Sequence, residues 1–219
     1  MRAYIGVTRR RYPSKHFTMA DENLADWANS QDTSKGYRVR KVCTLYGQYD
    51  FMIVVEANDL HLLHLVVQEI GSQNGIGDTE TFIASSKDDV GRETSLINDP
   101  GCVALCFNVD FGYAAEDGID RIKEQRLGMP ASPEAAIHRG KLTKCEHLAE
   151  TLRNEDRVLF ADAVFGKFDV IAIIKEGVQK SSSGEMQTLH QFLVYQVDNL
   201  DHILKTATLM NCPKMTNKS

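Results

Sequence analysis

Two aspartates stand in the same local sequence, 119 residues apart. Asp50 closes Tyr46-Gly47-Gln48-Tyr49-Asp50 and Asp169 closes Phe165-Gly166-Lys167-Phe168-Asp169, each inside an apolar, β-like run. A carboxylate just past a glycine-bearing turn has two uses. It can accept hydrogen bonds from backbone N–H groups of the turn or of a neighbouring loop, or it can orient the ammonium of an amino-acid-like ligand. Short aspartate side chains commonly serve turns, so residue chemistry alone favours the first use.

Other reactive groups are sparse. His61 and His64 are three apart and would share one helix face, yet no second Cys/His cluster lies near them, and His190, in the place of His64 later in the chain, lacks a counterpart of His61. Two ligands without a partner set are a weak signal for metal or haem, so neither metal nor cofactor is expected. The sequence contains no glycine-rich phosphate loop, no G-x-S-x-G elbow and no HExxH, and no catalytic residue is nominated. Tyr46, Tyr49, Phe51, Phe165 and Phe168 are assigned to core packing, the usual role of hairpin aromatics.

The hairpin motif belongs to a longer repeat. Leu63-His64 returns as Leu189-His190, and Ile76-x-x-Thr79-x-Thr81 returns as Ile203-x-x-Thr206-x-Thr208, at offsets of 126 and 127 residues. Landmarks recurring in one order mark duplication of a small domain, and the growth in offset fits a loop insertion over Glu176 to Gly184. The expected division is 1–85 for the first copy, 86–101 for a polar, turn-rich connection ending in Asn98-Asp99-Pro100-Gly101, and 102–219 for the second copy with an insertion near 111–141.

Each copy reads as β-α-β-β-α-β. In the first, a strand at Ala3 to Thr8 precedes a helix carrying Ala20, Leu24 and Trp27. A hairpin of Arg38 to Tyr46 and Tyr49 to Ala57 turns at Gly47-Gln48, a two-residue loop suited to type II′. Asn58 or Asp59 caps a helix with the stripe Leu60, Leu63, Val67 and Ile70, and Thr79 to Ala84 closes the copy. In the second, strands are expected at Cys102 to Val109, Leu159 to Phe165, Phe168 to Lys175 and near Leu204 to Leu209. Ser182-x-x-Glu185 resembles a capping box ahead of Met186, Leu189, Leu193 and Val197. Ala114 to Gln125 and Leu142 to Arg153 both read as helical around a break at Gly128-Met129-Pro130, and Leu142 to Arg153 is favoured as the counterpart of the first helix because it leads into the hairpin.

This order builds an α+β, ferredoxin-like sheet with its helices on one face. Phe51, Ile53 and Val55 point to one side and Met52 and Val54 to the other, so both faces are apolar. The expected architecture is two ferredoxin-like βαββαβ repeats burying their open faces against each other as an intramolecular, pseudo-dimeric α/β barrel.

Composition sets further bounds. Hydrophobic and charged fractions of 42% and 25% are those of a water-soluble globular chain, and no apolar run reaches the length of a membrane span. The amino-terminal segment has Arg2 and Arg9-Arg10-Arg11 but no apolar signal core. Five cysteines, Cys43, Cys102, Cys106, Cys145 and Cys212, form no CxxC pair and no complete disulfide set, so a reduced cytoplasmic setting is expected. The net charge of −5 argues against duplex DNA as a partner.

From Val42 to Ala84, the strand, Gly-x-aromatic-Asp turn, strand, amphipathic helix and closing Ile-x-x-Thr-x-Thr resemble the effector-binding (RAM) domain of the Lrp/AsnC regulators. Leu159 to Leu209 matches more loosely, and together the two stretches cover somewhat over half of the chain. The resemblance implies the dimeric α/β-barrel superfamily, self-association, and a small effector, an amino acid or a similar metabolite, bound near the turns. The ligand residues it implies are Gly47, Gln48, Tyr49, Asp50, Thr79 and Thr81 in one copy and Gly166, Lys167, Phe168 and Asp169 in the other. The chain starts at its first strand where family members carry a DNA-binding helix-turn-helix, so a sensing or interaction module with a protein partner and no direct DNA binding is expected. The alternative is a small cofactor-independent or haem-using enzyme of the same barrel type.

Overall fold

Strands with apolar residues on both faces need cover on both faces, and the chain meets that need by closing its strands into a barrel. The computed structural model describes residues 1–10, 24, 26–31, 33–85, 102–109, 133–180, 186–193, 197 and 203–211. The strands are β1 (Arg2–Arg9), β2 (Tyr37–Tyr46), β3 (Phe51–Ala57), β4 (Ile76–Ala84), β5 (Cys102–Val109), β6 (Val158–Phe165), β7 (Val170–Lys175), β8 (Gln179–Lys180), β9 (Met186–Gln187) and β10 (Ile203–Asn211). The helices are α1 (Leu60–Gly71), α2 (Pro133–Arg153) and α3 (Leu189–Phe192).

Eight strands close in the order β1-β3-β2-β10-β5-β7-β6-β4, and every neighbouring pair is antiparallel. The amino-terminal half contributes β4-β1-β3-β2 and the carboxy-terminal half β10-β5-β7-β6, so each half places its fourth, first, third and second strand side by side. Register matches too: Cys43 faces Met52 and Arg2 faces Glu56 in one half, as Asp162 faces Ile171 and Cys102 faces Lys175 in the other. Among the described residues the halves meet at two seams. At one, Tyr46 and Leu45 pair with Met210 and Asn211; at the other, Phe165 and Val164 pair with Ile83 and Ala84.

Strand alternation divides the apolar residues into three cores. Ile5, Phe51, Ile53 and Val55 face Leu63, Val66 and Ile70 of α1. Leu105, Phe107, Ala172 and Ile174 face Cys145, Leu148, Ala149 and Leu152 of α2 together with Phe192. The third core fills the barrel with residues from both halves, including Tyr4, Met52 and Phe82 against Phe160, Phe168 and Ile171. Burying a large apolar side chain is worth about 1.5–3 kcal/mol, which is why neither sheet leaves this face in water.

Several expectations change. Strands stop at Tyr46 and Phe165 and resume at Phe51 and Val170, so each hairpin loop has four residues where two were expected; Asp50 and Asp169 turn their backbone N–H groups to the first strand instead of the hairpin ladder. Asp59 is the cap of α1, accepting from Leu62 N at 2.8 Å. Leu60 is 61% exposed, and Val66 joins Leu63 and Ile70 as a fully buried residue while Val67 packs half-buried beside them. The capping box sits at Thr188 and Gln191; Met186 belongs to β9, which pairs with β8 in the segment read as an inserted loop. The helix expected from Leu142 begins at Pro133. The connection 86–101, the helix-like stretch Ala114 to Gln125 and the Ser182-x-x-Glu185 motif lie outside the described residues. No described helix is long and apolar enough to cross a membrane.

Candidate functional site

The two aspartates make the same backbone contacts. Asp50 donates its N–H to Val7 O, and its Oδ2 accepts from Arg9 N at 2.7 Å. Asp169 donates its N–H to Phe107 O, and its Oδ2 accepts from Val109 N at 3.1 Å. Each carboxylate therefore pins its hairpin to the first strand of its own half, the turn-serving use of an aspartate. Their second oxygens differ. Oδ1 of Asp50 faces Arg9 Nη1 at 3.9 Å, whereas Oδ1 of Asp169 meets Lys141 Nζ of α2 at 2.8 Å.

Beside Asp169 lies a cleft of about 520 Å³ between α2 and the β6–β7 hairpin, lined by Lys141, Leu142, Cys145, Val164, Phe165, Gly166 and Asp169. Its size is that of a small-molecule site. Helical spacing puts Lys141 and Cys145 one turn apart on the same side of α2, while Leu142, Val164 and Phe165 supply apolar wall. Burial, reinforced by the Asp169 carboxylate, pushes the Cys145 thiol up to about 11. At neutral pH the cleft thus presents a protonated thiol beside an ammonium–carboxylate pair, a set suited to holding a polar ligand and poor in nucleophiles.

The structure gathers only part of the expected site. Gly166 and Asp169 line the cleft. Lys167 lies over the ring of Phe168, 5.9 Å from its centroid, and Phe168 itself turns into the barrel. Gly47 and Gly166 have φ of +138° and +147°, and each turn rests on the last strand of the opposite half: a Cβ on Gly47 would meet Leu209, and one on Gly166 would meet Phe82. Tyr49 is buried in the barrel core, its hydroxyl donating to Glu80 and accepting from Gln48 Nε2 at 3.1 Å. Tyr49, Phe82 and Phe168 form a continuous aromatic contact there. Thr79 and Thr81 share the face of β4 that carries Ile83 toward α1, opposite to Phe82, so strand alternation separates them from Tyr49. Lys141, Leu142 and Cys145 escaped the sequence reading, although the stripe Leu142, Cys145, Leu148 and Leu152 marked which side of this helix would meet the sheet.

His61, His64, His147 and His190 are all exposed. Among the described residues, no three His, Cys, Asp or Glu side chains come together as a metal-holding group.

No protein-family model matches the chain, and no curated protein matches it in sequence. Among solved structures it is similar to the chlorite dismutase of Candidatus Nitrospira defluvii in complex with imidazole, with 12% identity, a TM-score of 0.47, and coverage of 96% of this chain and 90% of that one. A mutant of the same enzyme in complex with cyanide gives 13% identity, a TM-score of 0.49, and coverage of 97% and 90%. Likeness at this level transfers no activity.

Proposed function

We infer that the protein binds a small metabolite of amino-acid type in the cleft between α2 and the β6–β7 hairpin, as a pair of ferredoxin-like RAM-type repeats fused in one chain. The observation that carries this reading is the Lys141–Asp169 pair at the mouth of an otherwise apolar cleft. A zwitterionic ligand can exchange that pair for its own carboxylate and ammonium, while its side chain covers Leu142, Val164 and Phe165. The Lrp/AsnC resemblance implies effectors near the same turn. One site per chain is the reading here, because the cleft and the lysine of α2 lie beside Asp169, whereas Asp50 faces Arg9 of β1. Self-association and a protein partner complete the proposal, supported by Tyr46 and Phe165, which are 54% and 59% exposed at corresponding positions before the two turns.

The second reading is an enzyme of the same barrel type, and the similar solved structures, chlorite dismutases, agree with it in kind. For a haem-using form the residues around the cleft do not fit: His61, His64, His147 and His190 are exposed, the cleft thiol is held protonated, and the core between α2 and its sheet is filled by side chains. No step through haem is derived. A thermal-shift screen across amino acids and common metabolites tests the binding proposal. A hit that raises Tm in the unsubstituted chain and is lost in both Lys141→Met and Asp169→Ala is expected. Hits that survive both substitutions overturn the cleft as the site, and a stoichiometric Soret band on titration with haem overturns the preference for a non-haem module.

A further inference from the structure

The corresponding positions of the two halves carry different chemistry at the two seams. Register places Arg2 of β1 opposite in role to Cys102 of β5, and Asp162 of β6 opposite in role to Cys43 of β2. At the β4–β6 seam, Arg2 Nη1 reaches Asp162 Oδ2 at 3.1 Å inside the barrel. At the β2–β10 seam, the equivalent residues Cys43 and Cys102 belong to the same barrel core, at 2% and 4% exposure, near enough for the Cys102 thiol to act on that of Cys43. Neither is in a disulfide. Fifty-nine residues of chain separate them.

We propose that Cys43 and Cys102 form a redox-modifiable dithiol that hydrogen peroxide, or a peroxide of similar size, converts to a disulfide joining the two halves of the barrel. The Cys43 sulfur attacks one peroxide oxygen as the O–O bond breaks, giving a sulfenic acid and water. Cys102 sulfur then attacks the Cys43 sulfur, the S–S bond forms, the S–O bond breaks, and a second water leaves with the remaining protons. Two thiols are oxidised and one peroxide is reduced to two waters.

Access is the limiting step. The partner thiol and burial hold the Cys43 thiol above the ordinary range, with Lys41, itself fully buried, acting in the opposite direction. Attack therefore follows local opening of the barrel at the seam beside these thiols, where the described pairing includes Leu45 and Tyr46.

Peroxide treatment of the reduced, unsubstituted chain, followed by thiol titration in denaturant and peptide mass spectrometry, tests this. The expected result is loss of two thiols, a peptide pair joining Cys43 to Cys102, reversal by dithiothreitol, and a Tm of the oxidised form higher by about 5–10 °C. Cys43→Ser and Cys102→Ser should each abolish both the linked peptide and the rise in Tm. Persistence of both thiols under peroxide that oxidises Cys106, Cys145 or Cys212, oxidation of Cys43 to sulfinic acid without a link, or a link from Cys43 to another cysteine would each overturn the proposal. The decisive readout is made on the unsubstituted chain, so it stands whether or not the variants fold.

Discussion

Arg2 and Asp162, 160 residues apart in sequence, meet as a buried ion pair at 3.1 Å across the boundary between the two halves. Asp162 is 1% exposed and also accepts from the hydroxyl of Tyr4, while Arg2 continues to Glu56 at 3.0 Å and Arg40 reaches the other oxygen of Glu56. Burial alone would make the Arg2 guanidinium easier to deprotonate, but Asp162, with Tyr4 and Glu56, more than reverses that.

Removing Asp162 leaves the buried charge of Arg2 only partly compensated, with Glu56 as a remaining carboxylate. Asp162→Ala should destabilise the fold by about 3–5 kcal/mol in urea unfolding. Replacing the group together, as Arg2→Met, Tyr4→Phe and Asp162→Leu, should recover much of that loss; if the triple variant is as unstable as Asp162→Ala, uncompensated charge is not the cause.

The two turn glycines should not be equally sensitive. Both have positive φ, so Gly47→Val and Gly166→Val each incur backbone strain of about 1–3 kcal/mol. A new Cβ at Gly47 would sit 2.6 Å from the tip of Leu209, whereas one at Gly166 would sit 2.7 Å from the fully buried ring of Phe82, held between Tyr49 and Phe168. Gly166→Val is expected to be the more damaging in denaturation midpoints. Equal losses would show that the opposing side chains yield equally.

The aspartates divide structure from binding. Asp50→Ala should lower the Tm of the unliganded chain through loss of the Arg9 N–H contact, about 1–3 kcal/mol, and leave the response to a ligand found by screening intact. Asp169→Ala should lower the unliganded Tm and abolish that response. A ligand response lost with Asp50 but kept without Asp169 would move the site to the other turn.

Alkaline pH should destabilise the barrel. Burial pushes the Cys106 thiol up to about 12 and holds the Cys43 thiol and Tyr4 hydroxyl above their ordinary values, with the Cys102 thiol adding to the first and Asp162 to the second. Above pH ~9 for the thiols and ~10 for Tyr4 the unfolded chain releases these protons and the folded chain retains them, so the stabilisation is complete below that range and falls as pH rises, by about 1.4 kcal/mol per pH unit for each group and, for Cys106, until pH ~12. Urea midpoints measured from pH 7 to 11 check the direction. Cys106→Ala should flatten the slope, and a midpoint that rises with pH would contradict the assignment.

The amino-acid sequence determined the elements and their order. Alternation in Phe51 to Val55 announced a strand buried on both faces, the repeated Gly-x-aromatic-Asp announced both hairpins, and Asn58-Asp59 announced a helix start without deciding which of the two caps it, because these are local consequences of pleat, φ and capping. The tertiary structure decided which residues meet. The turns folded Tyr49 and Phe168 into the barrel core while strand parity sent Thr79 and Thr81 to the opposite face of β4, undoing a site that had looked contiguous along the chain. The packing of α2 set Lys141 against Asp169, and barrel closure brought Arg2 to Asp162 and Cys43 to Cys102. Such pairings depend on register across strands distant in sequence, and register is fixed by the burial of whole faces, which no local spacing encodes.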